Sequence, residues 1–535
     1  MTRNILFTIV FITFLFVGQE AIAQSKIGLI PYPDSLEAID GVADFSSGFN
    51  FVGDKILKDY GQKELTKFLH SRPDKRGLKI DLQLSKDFSG SNEAYLLTIE
   101  PKQVTIRANA VNGLFYGIQS LKQLGLQYGT QVPCLRIIDQ PRFAWRAYML
   151  DEGRYFQGKK AVMKLLDEMA LLKLNTFHWH LTDDAGWRIE IKKYPQLTKI
   201  GSERDSSQTN DQGKKWDSKT SDRKKHAGYY SQAEIREIVA YAKDRNIQVI
   251  PEISMPGHAS AAVASYPWLG ASKKPIKVPT KFGVVSTVFD VSDPKVIQFL
   301  KDVLTEVAGL FPASVMHIGG DEVKYDQWAA SEQVSRYMKD HKLKTHSDLQ
   351  VYFTNEMSNF VQNSLQKRMM GWNEILGMKI HAWQKNENAE MALSQNTIVH
   401  FWQGEIKGIN YASEKGYQIV NSLHGYTYLD YTYGDIGLEK AYSFDPIPAD
   451  LKPEFKKNII GLGCQMWGEW TPTMKEVEYQ TFPRIAAYAE TGWSKQKDYP
   501  RFLEQLKYLY QLWSGKGYNL PKADLFWGHE TWGLN

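Results

Sequence analysis

From Trp145 onward the chain alternates short apolar runs with amphipathic helical stretches, and this rhythm leaves few folds open. Eight runs read as strands: Arg146–Leu150, Thr176–His180, Gln248–Glu252, Val315–Ile318, Arg368–Trp372, Ile398–Trp402, Gln418–Asn421 and Gly461–Trp467. Helical spacing over Lys160–Leu172, Gln232–Arg245, Pro294–Leu310, His346–Leu365 and Glu476–Ala489 falls between many of them. Strands that are apolar on both faces and separated by helices belong to a parallel sheet covered on both sides. Eight of them point to a sheet closed on itself, a (β/α)8 TIM barrel. The longest insertion, Ser202 to His226, is polar and rich in Lys, Ser and Asp, as a surface loop is.

The stretch before the barrel has another texture. Ile27–Pro33, Lys79–Leu84, Ala94–Ile99 and Val104–Ala108 read as strands, and Asn112–Leu124 has apolar residues at helical spacing. No cluster of catalytic residue types occurs there. The expected class is therefore α/β, with a small accessory domain over residues 24–140 and a barrel over 141–535. Pro500–Asn535 would supply the barrel's helical tail. Residues 1–23 read as a secretory signal peptide: Arg3, an apolar run from Ile5 to Val17, then Ala21-Ile22-Ala23 before Gln24. The run is short for a membrane span. The expectation is export, periplasmic or extracellular, with no stable membrane span.

Two cysteines in 535 residues, Cys134 and Cys464, lack zinc-type spacing and are expected to be buried free thiols. The 65 basic and 60 acidic residues nearly balance, and no basic stripe marks a nucleic-acid surface. Fifteen Trp and 28 Tyr suit either core filling or stacking against sugar rings.

In barrels of this kind the chemistry sits at the C-terminal ends of the strands. Following the eight runs in order gives Asp151 and Arg154; His178, His180, Asp183 and Asp184; Glu252 and His258; then Asp321 and Glu322. Next come Trp372 and Glu374; Trp402; His424, Tyr428 and Asp430; and finally Trp467, Glu469 and Trp470. Polar and aromatic groups suited to a sugar recur at almost every strand end. The sharpest cluster is His317-Ile318-Gly319-Gly320-Asp321-Glu322. Adjacent side chains on a strand point to opposite faces, so two neighbouring carboxylates share a substrate only if the chain leaves strand geometry, which Gly-Gly permits. Held close, such carboxylates push their pKa values apart, leaving one an acid and the other ionised.

Phe177-His178-Trp179-His180-Leu181-Thr182-Asp183-Asp184 with Gly186-Trp187-Arg188 resembles the signature of glycoside hydrolase family 20. So do Pro251-Glu252-Ile253 with Pro256-Gly257-His258, the His317–Glu322 cluster, Gly371–Leu376 and Tyr428-Leu429-Asp430. Ala94–Leu97 and Gly113–Gly117 resemble the family's accessory domain. The resemblance implies an exo-acting β-N-acetylhexosaminidase in which the substrate's own 2-acetamido oxygen is the nucleophile, an exception to the two-carboxylate scheme. It further implies that Glu322 is the general acid and then base, that Asp321 accepts from the acetamido N–H, and that Tyr428 donates to the acetamido oxygen. Trp372, Trp402 and Trp467 would wall the acetamide. Arg154, Asp430 and Glu469 would bind sugar hydroxyls. Asp183 and His258, with Asp184, would form a hydrogen-bond network, with direct substrate contact left open. Trp145, Trp179 and Trp187 read as structural, and Glu252 and His178 as barrel-interior groups. The implied partner is an N-acetylhexosamine-containing glycan, with no nucleic acid, cofactor or metal; oligomeric state is left open. Two rivals remain: a metal hydrolase using the His178-x-His180 pair with His258, His317, His400 and His424, or an inactive glycan-binding protein.

Overall fold

The eight apolar runs close on themselves. The computed structural model describes residues 27–528 apart from 54, 212–214, 383 and 385–387. The leader-like segment at residues 1–23 lies outside the described residues. The described chain divides into two compact units, one of residues 27–144, 168–174 and 482–528, the other of 145–167 and 175–481.

The first unit is built on a six-stranded mixed sheet. Its strands are β1 (Ser35–Asp44), β2 (Phe49–Gly53), β3 (Leu78–Leu84), β4 (Tyr95–Glu100), β5 (Gln103–Ala108) and β6 (Gln131–Asp139), in the order β1-β6-β4-β5-β3-β2. The helix Val111–Tyr128 lies against it, every residue from Gly113 to Gly125 buried. Gly117 permits that close approach, since a Cβ there would sit 2.4 Å from Ile106 Cγ2. Ile27–Pro33, expected as a strand, forms none; prolines at 31 and 33 remove ladder donors. Cys134 on β6 is buried and in no disulfide.

The second unit is the barrel. Its parallel strands are β7 (Trp145–Asp151), β8 (Thr176–Asp183), β12 (Gln248–Ile253), β13 (Val315–His317), β14 (Arg368–Trp372), β15 (Ile398–Phe401), β16 (Gln418–Asn421) and β17 (Ile459–Met466). They pair in chain order, and β17 pairs back onto β7. Three two-residue strands lie between β8 and β12: β9 (Gly186–Trp187) beside β8, and β10 (Glu203–Arg204) with β11 (His226–Ala227), which pins the two ends of the long insertion. All residues of β7 and β8 are buried, the polar ones included, as in strands covered on both faces. Trp145, Ala147, Ile250, Val315, Met370, Ile398 and Val420 fill one layer of the barrel interior.

Helices occur at Lys159–Leu171, Gln232–Lys243, Pro294–Ala308 and His346–Asn363, within two residues of expectation. The continuous helix expected over Glu476–Ala489 is instead two, Met474–Thr481 and Arg484–Trp493, divided at Pro483, whose ring and missing N–H interrupt helical bonding. The C-terminal helix Tyr499–Gly515 belongs to the first compact unit. Cys464, on β17, is buried and in no disulfide. Among the described residues no helix is long and apolar enough to cross a membrane.

Candidate active site

A cavity of about 430 Å³ opens at the C-terminal ends of the barrel strands. Nine of the twelve residues given a site role from sequence line it: Arg154, Asp321, Glu322, Trp372, Trp402, Tyr428, Asp430, Trp467 and Glu469. The other three, Asp183, Asp184 and His258, do not line it and form a network with residues that do.

The local chain after β13 brings both carboxylates to one side. The strand ends at His317; Gly319 and Gly320 follow at φ 70° and 91°, and Glu322 itself adopts φ 51°. A left-handed conformation at a non-glycine residue costs about 1–2 kcal/mol. Such strain gathers where function requires an otherwise unfavourable side-chain direction. His258, which faces Glu322, is also left-handed, at φ 47°.

His258 links four acids. Its Nδ1 lies 2.9 Å from Asp184 Oδ2 and 3.5 Å from Asp183 Oδ2; its Nε2 lies 3.4 Å from Asp321 Oδ2 and 3.6 Å from Glu322 Oε2. Burial opposes a charged imidazole here, but the surrounding carboxylates, Asp183 first, hold its pKa well above the usual histidine value. Burial likewise opposes an ionised Glu322, yet the His258 imidazolium 3.6 Å away prevails and holds that carboxyl below its ordinary value. Asp184 is fixed in turn by the Ser260 backbone N–H at 3.0 Å.

Arg154 organises the opposite side. Its Nη1 donates to Asp151 Oδ2 at 3.1 Å, while Nη2 lies 3.0 Å from Asp183 Oδ2 and 3.7 Å from Glu469 Oε1. Its guanidinium lies over the Trp467 ring at 5.0 Å.

Between these two sides stands an aromatic box. Met149, Trp372, Tyr428 and Trp467 form one buried cluster against which Trp402 and Tyr431 pack. Trp402 and Tyr428 stack nearly parallel, 8° apart with centroids 5.9 Å apart, and Trp372 lies 5.8 Å from Trp467. Burial raises the Tyr428 hydroxyl well above the ordinary phenol value, so it stays a donor. Asp321 Oδ1 and Trp467 Nε1 are buried with no aligned hydrogen-bond partner among the described residues. Native interiors rarely leave such atoms unpaired without reason.

Among the described residues, two groups have spacing that a metal ion could use, His178–Glu252–His317 and Asp183–Asp184–His258. The first is already committed. Trp372 Nε1–H donates to Glu252 Oε1 at 2.9 Å, and His317 Nδ1 accepts the Gly319 N–H at 3.0 Å. In the second, His258 and Arg154 already supply the positive charge. The His178 and His180 side chains do share one strand face, both within 2.9 Å of Glu252 Oε2, as barrel-interior groups.

Residues 143–496 match the family described as "Glycosyl hydrolase family 20, catalytic domain", and residues 26–140 match its "domain 2". The chain belongs to glycosyl hydrolase family 20. A β-hexosaminidase of Porphyromonas gingivalis is 34% identical over 519 residues, covering 90% of this chain and 62% of that protein. The family 20 chain thus spans less than two thirds of that relative's length. A β-hexosaminidase of Vibrio furnissii is 32% identical, covering 88% of this chain and 77% of its own. Among solved structures, the family 20 exo-β-N-acetylglucosaminidase of Vibrio harveyi in complex with N-acetylglucosamine superposes with a TM-score of 0.77 at 30% identity, covering 93% of this chain and 78% of that one. The β-N-acetylhexosaminidase of Bacteroides fragilis gives 0.77 at 27% identity, covering 95% and 99%.

The family 20 cavity also has walls that sequence reading passed over. Trp216, Gly283, Val284 and Tyr431 line it. Trp216 comes from the long insertion and is 56% exposed, packed edge-to-face on Trp470 at 5.4 Å. A single tryptophan in a Lys-, Ser- and Asp-rich loop was the available signal. Tyr431 follows Asp430 directly, whereas Gly283 and Val284 carried no signal. Glu374 and His381 lie behind Trp402, their carboxylate and Nε2 2.8 Å apart.

Proposed function

We propose that this chain is an exo-acting β-N-acetylhexosaminidase. It removes terminal, non-reducing β-linked N-acetylglucosamine or N-acetylgalactosamine with retention of configuration, through participation of the substrate's acetamide. The observation that carries this reading is the lone Asp321 Oδ1: a buried carboxylate acceptor in the wall of a box that also holds Tyr428 and three indoles. An acetamide fits that combination, with an N–H for Asp321, a carbonyl oxygen for the Tyr428 hydroxyl and a methyl group for the indole faces. A sugar lacking the acetamide would leave these buried polar groups unpaired, which is a strong basis for rejection.

In the first step the acetamido oxygen forms a bond to C1 as the C1–O bond to the aglycone breaks, and Glu322 gives its proton to the departing oxygen. Tethering the nucleophile to the substrate supplies a high effective concentration. The resulting oxazolinium carries positive charge on its N–H, opposite Asp321. In the second step Glu322, now a carboxylate, takes a proton from water as that water attacks C1 from the face the aglycone left. The C1–O bond to the oxazolinium ring breaks, its electron pair returns to the acetamide oxygen, and the anomeric configuration is retained. Arg154, Asp430 and Glu469 orient the sugar hydroxyls. The leader-like first 23 residues support export of the enzyme.

Hydrolysis of an aryl N-acetyl-β-glucosaminide, compared with the matching aryl β-glucoside, tests this reading. A thiazoline that mimics the cyclised intermediate is added as inhibitor. Turnover of the first substrate only, with tight inhibition, is expected. Turnover of neither, or equal turnover of both, refutes it.

A further inference from the structure

The segment that follows β14 grips the end of β15 at three points. Asn373 Oδ1 accepts the Trp402 backbone N–H at 3.0 Å, and Asn373 Nδ2 donates to the Gln403 carbonyl at 2.9 Å. The third point is a side chain: Trp402 Nε1–H lies 3.0 Å from Glu374 Oε2 and 3.2 Å from Oε1. Glu374 is buried and does not line the cavity. Its Oε1 lies 2.8 Å from His381 Nε2, so the carboxylate is itself held from the far side.

The two indoles on this side of the box are not equally constrained. Trp372 is 1% exposed, stacked on His400 at 4.1 Å and bonded through its Nε1–H to Glu252 Oε1 at 2.9 Å, so burial, stacking and a hydrogen bond all fix it. Trp402 is only partly buried, and its flat contact is with Tyr428, which faces the same cavity. What stops Trp402 from rotating outward is the bond to Glu374. Burial raises the Glu374 carboxyl above its ordinary value against the opposing His381, and in either protonation state the group keeps an oxygen that accepts the indole N–H.

We propose that Glu374, braced by His381, is a positioning residue that fixes the Trp402 wall and thereby sets the length of the N-acyl group the site accepts. This rests on the acetamide-box reading above. With the wall fixed, the space beside the indole faces admits a methyl group; an added methylene or two must displace a ring that is bonded from behind. Releasing Trp402 loosens its stack on Tyr428 and opens that space to longer acyl chains, with Asp321, Glu322 and Tyr428 themselves unsubstituted.

The test is kcat/KM for aryl β-glucosaminides carrying N-acetyl, N-propanoyl and N-butanoyl groups. Glu374→Leu removes the acceptor, whereas Glu374→Gln keeps an amide oxygen for the indole N–H. The N-butanoyl to N-acetyl ratio is expected to rise about tenfold in Glu374→Leu, and to stay within about threefold of the parent ratio in Glu374→Gln. General loosening of the fold would lower all three rates together and leave the ratio unmoved. If Glu374→Leu does not fold, Trp402→Phe removes the same hydrogen bond from the other side and is expected to raise the ratio likewise. A parent enzyme that hydrolyses the N-acetyl substrate, with variants that keep the parent ratio, overturns the Glu374 assignment alone. A parent that hydrolyses none of the three overturns the acetamide reading and this inference with it.

Discussion

Replacing Asp321 by Asn isolates the charge that the proposed mechanism places against the acetamide. The substitution is nearly isosteric and disturbs few existing bonds. Oδ1 has no aligned partner among the described residues, and Oδ2 lies 3.4 Å from His258 Nε2, outside normal hydrogen-bond length. The fold should therefore survive, and the loss should appear in the rate. A unit charge about 4 Å from its partner, at an effective dielectric near 20, contributes about 4 kcal/mol. Roughly half of a unit charge has developed on the acetamide when C1 is attacked, so the carboxylate's share at the transition state is about 2 kcal/mol, or about thirtyfold in rate. The ground-state acetamide is neutral, and an amide oxygen at position 321 still accepts its N–H. KM should thus change little while kcat falls, the signature of an interaction made mainly in the transition state. The assay is steady-state hydrolysis of aryl glucosaminides with N-acetyl, N-fluoroacetyl and N-difluoroacetyl groups, whose oxygens are progressively poorer nucleophiles. A kcat for Asp321→Asn within about threefold of the parent, in a folded protein, would remove Asp321 from charge stabilisation.

Glu322→Gln should lower kcat/KM on an N-acetylglucosamine disaccharide by about 100- to 10,000-fold, the usual contribution of a general acid, while sparing an aryl substrate whose leaving group needs no proton. Equal losses on both substrates would reject the acid role. Stability should depend on Glu152, whose carboxyl burial pushes up to about 7 against the opposing Gln157 amide and Tyr230 hydroxyl. A raised acid stabilises the fold fully below its ordinary value of 4.5, and that contribution is lost as pH rises through about 7, an effect of at most about 3 kcal/mol. Thermal unfolding between pH 4.5 and 8.5 should therefore show a falling Tm in the parent and a shallower fall in Glu152→Gln; parallel curves would reject this.

The barrel was legible because its physics is written locally. Strands buried on both faces are rich in apolar residues, so β7 and β17 stand out within one or two residues and β8 within three. The accessory sheet was harder to read because its outer strand is mostly exposed. β1 buries only Leu36 and Ala43, and its sequence, SLEAIDGVAD, carries too little apolar alternation to read as a strand. At the site, residues at strand ends were found because the barrel converges them whatever their sequence separation. Trp216 escaped because it reaches the cavity through an insertion whose path no periodicity encodes. Glu374 was visible at a strand end, but its role was not. That role depends on Trp402 and His381 arriving on either side of one carboxylate, a meeting set by tertiary packing.

One feature of the site looks contrary to its chemistry: the proposed proton donor, Glu322, has a carboxyl pKa held down by its neighbour. The contradiction disappears when the proton is assigned to the pair. His258 and Glu322 face each other at 3.6 Å, and the carboxylates around His258 keep its imidazole protonated well beyond the usual range. Strongly interacting groups titrate as a unit, so the pair retains one proton over that whole range whichever atom carries it. The raised imidazole and lowered carboxyl both favour the proton on His258, whose Nε2 Asp321 also faces. A bound sugar fills the cavity and excludes water from Glu322, and desolvation disfavours a carboxylate. The proton's preference then moves toward Oε2, next to the glycosidic oxygen that must receive it. After the aglycone departs, Glu322 is a carboxylate, the state that its surroundings favour, and a carboxylate is what the second step needs to activate water. On the proposed mechanism, the same histidine that weakens Glu322 as an isolated acid would supply the proton for the first half of the reaction and leave the base ready for the second.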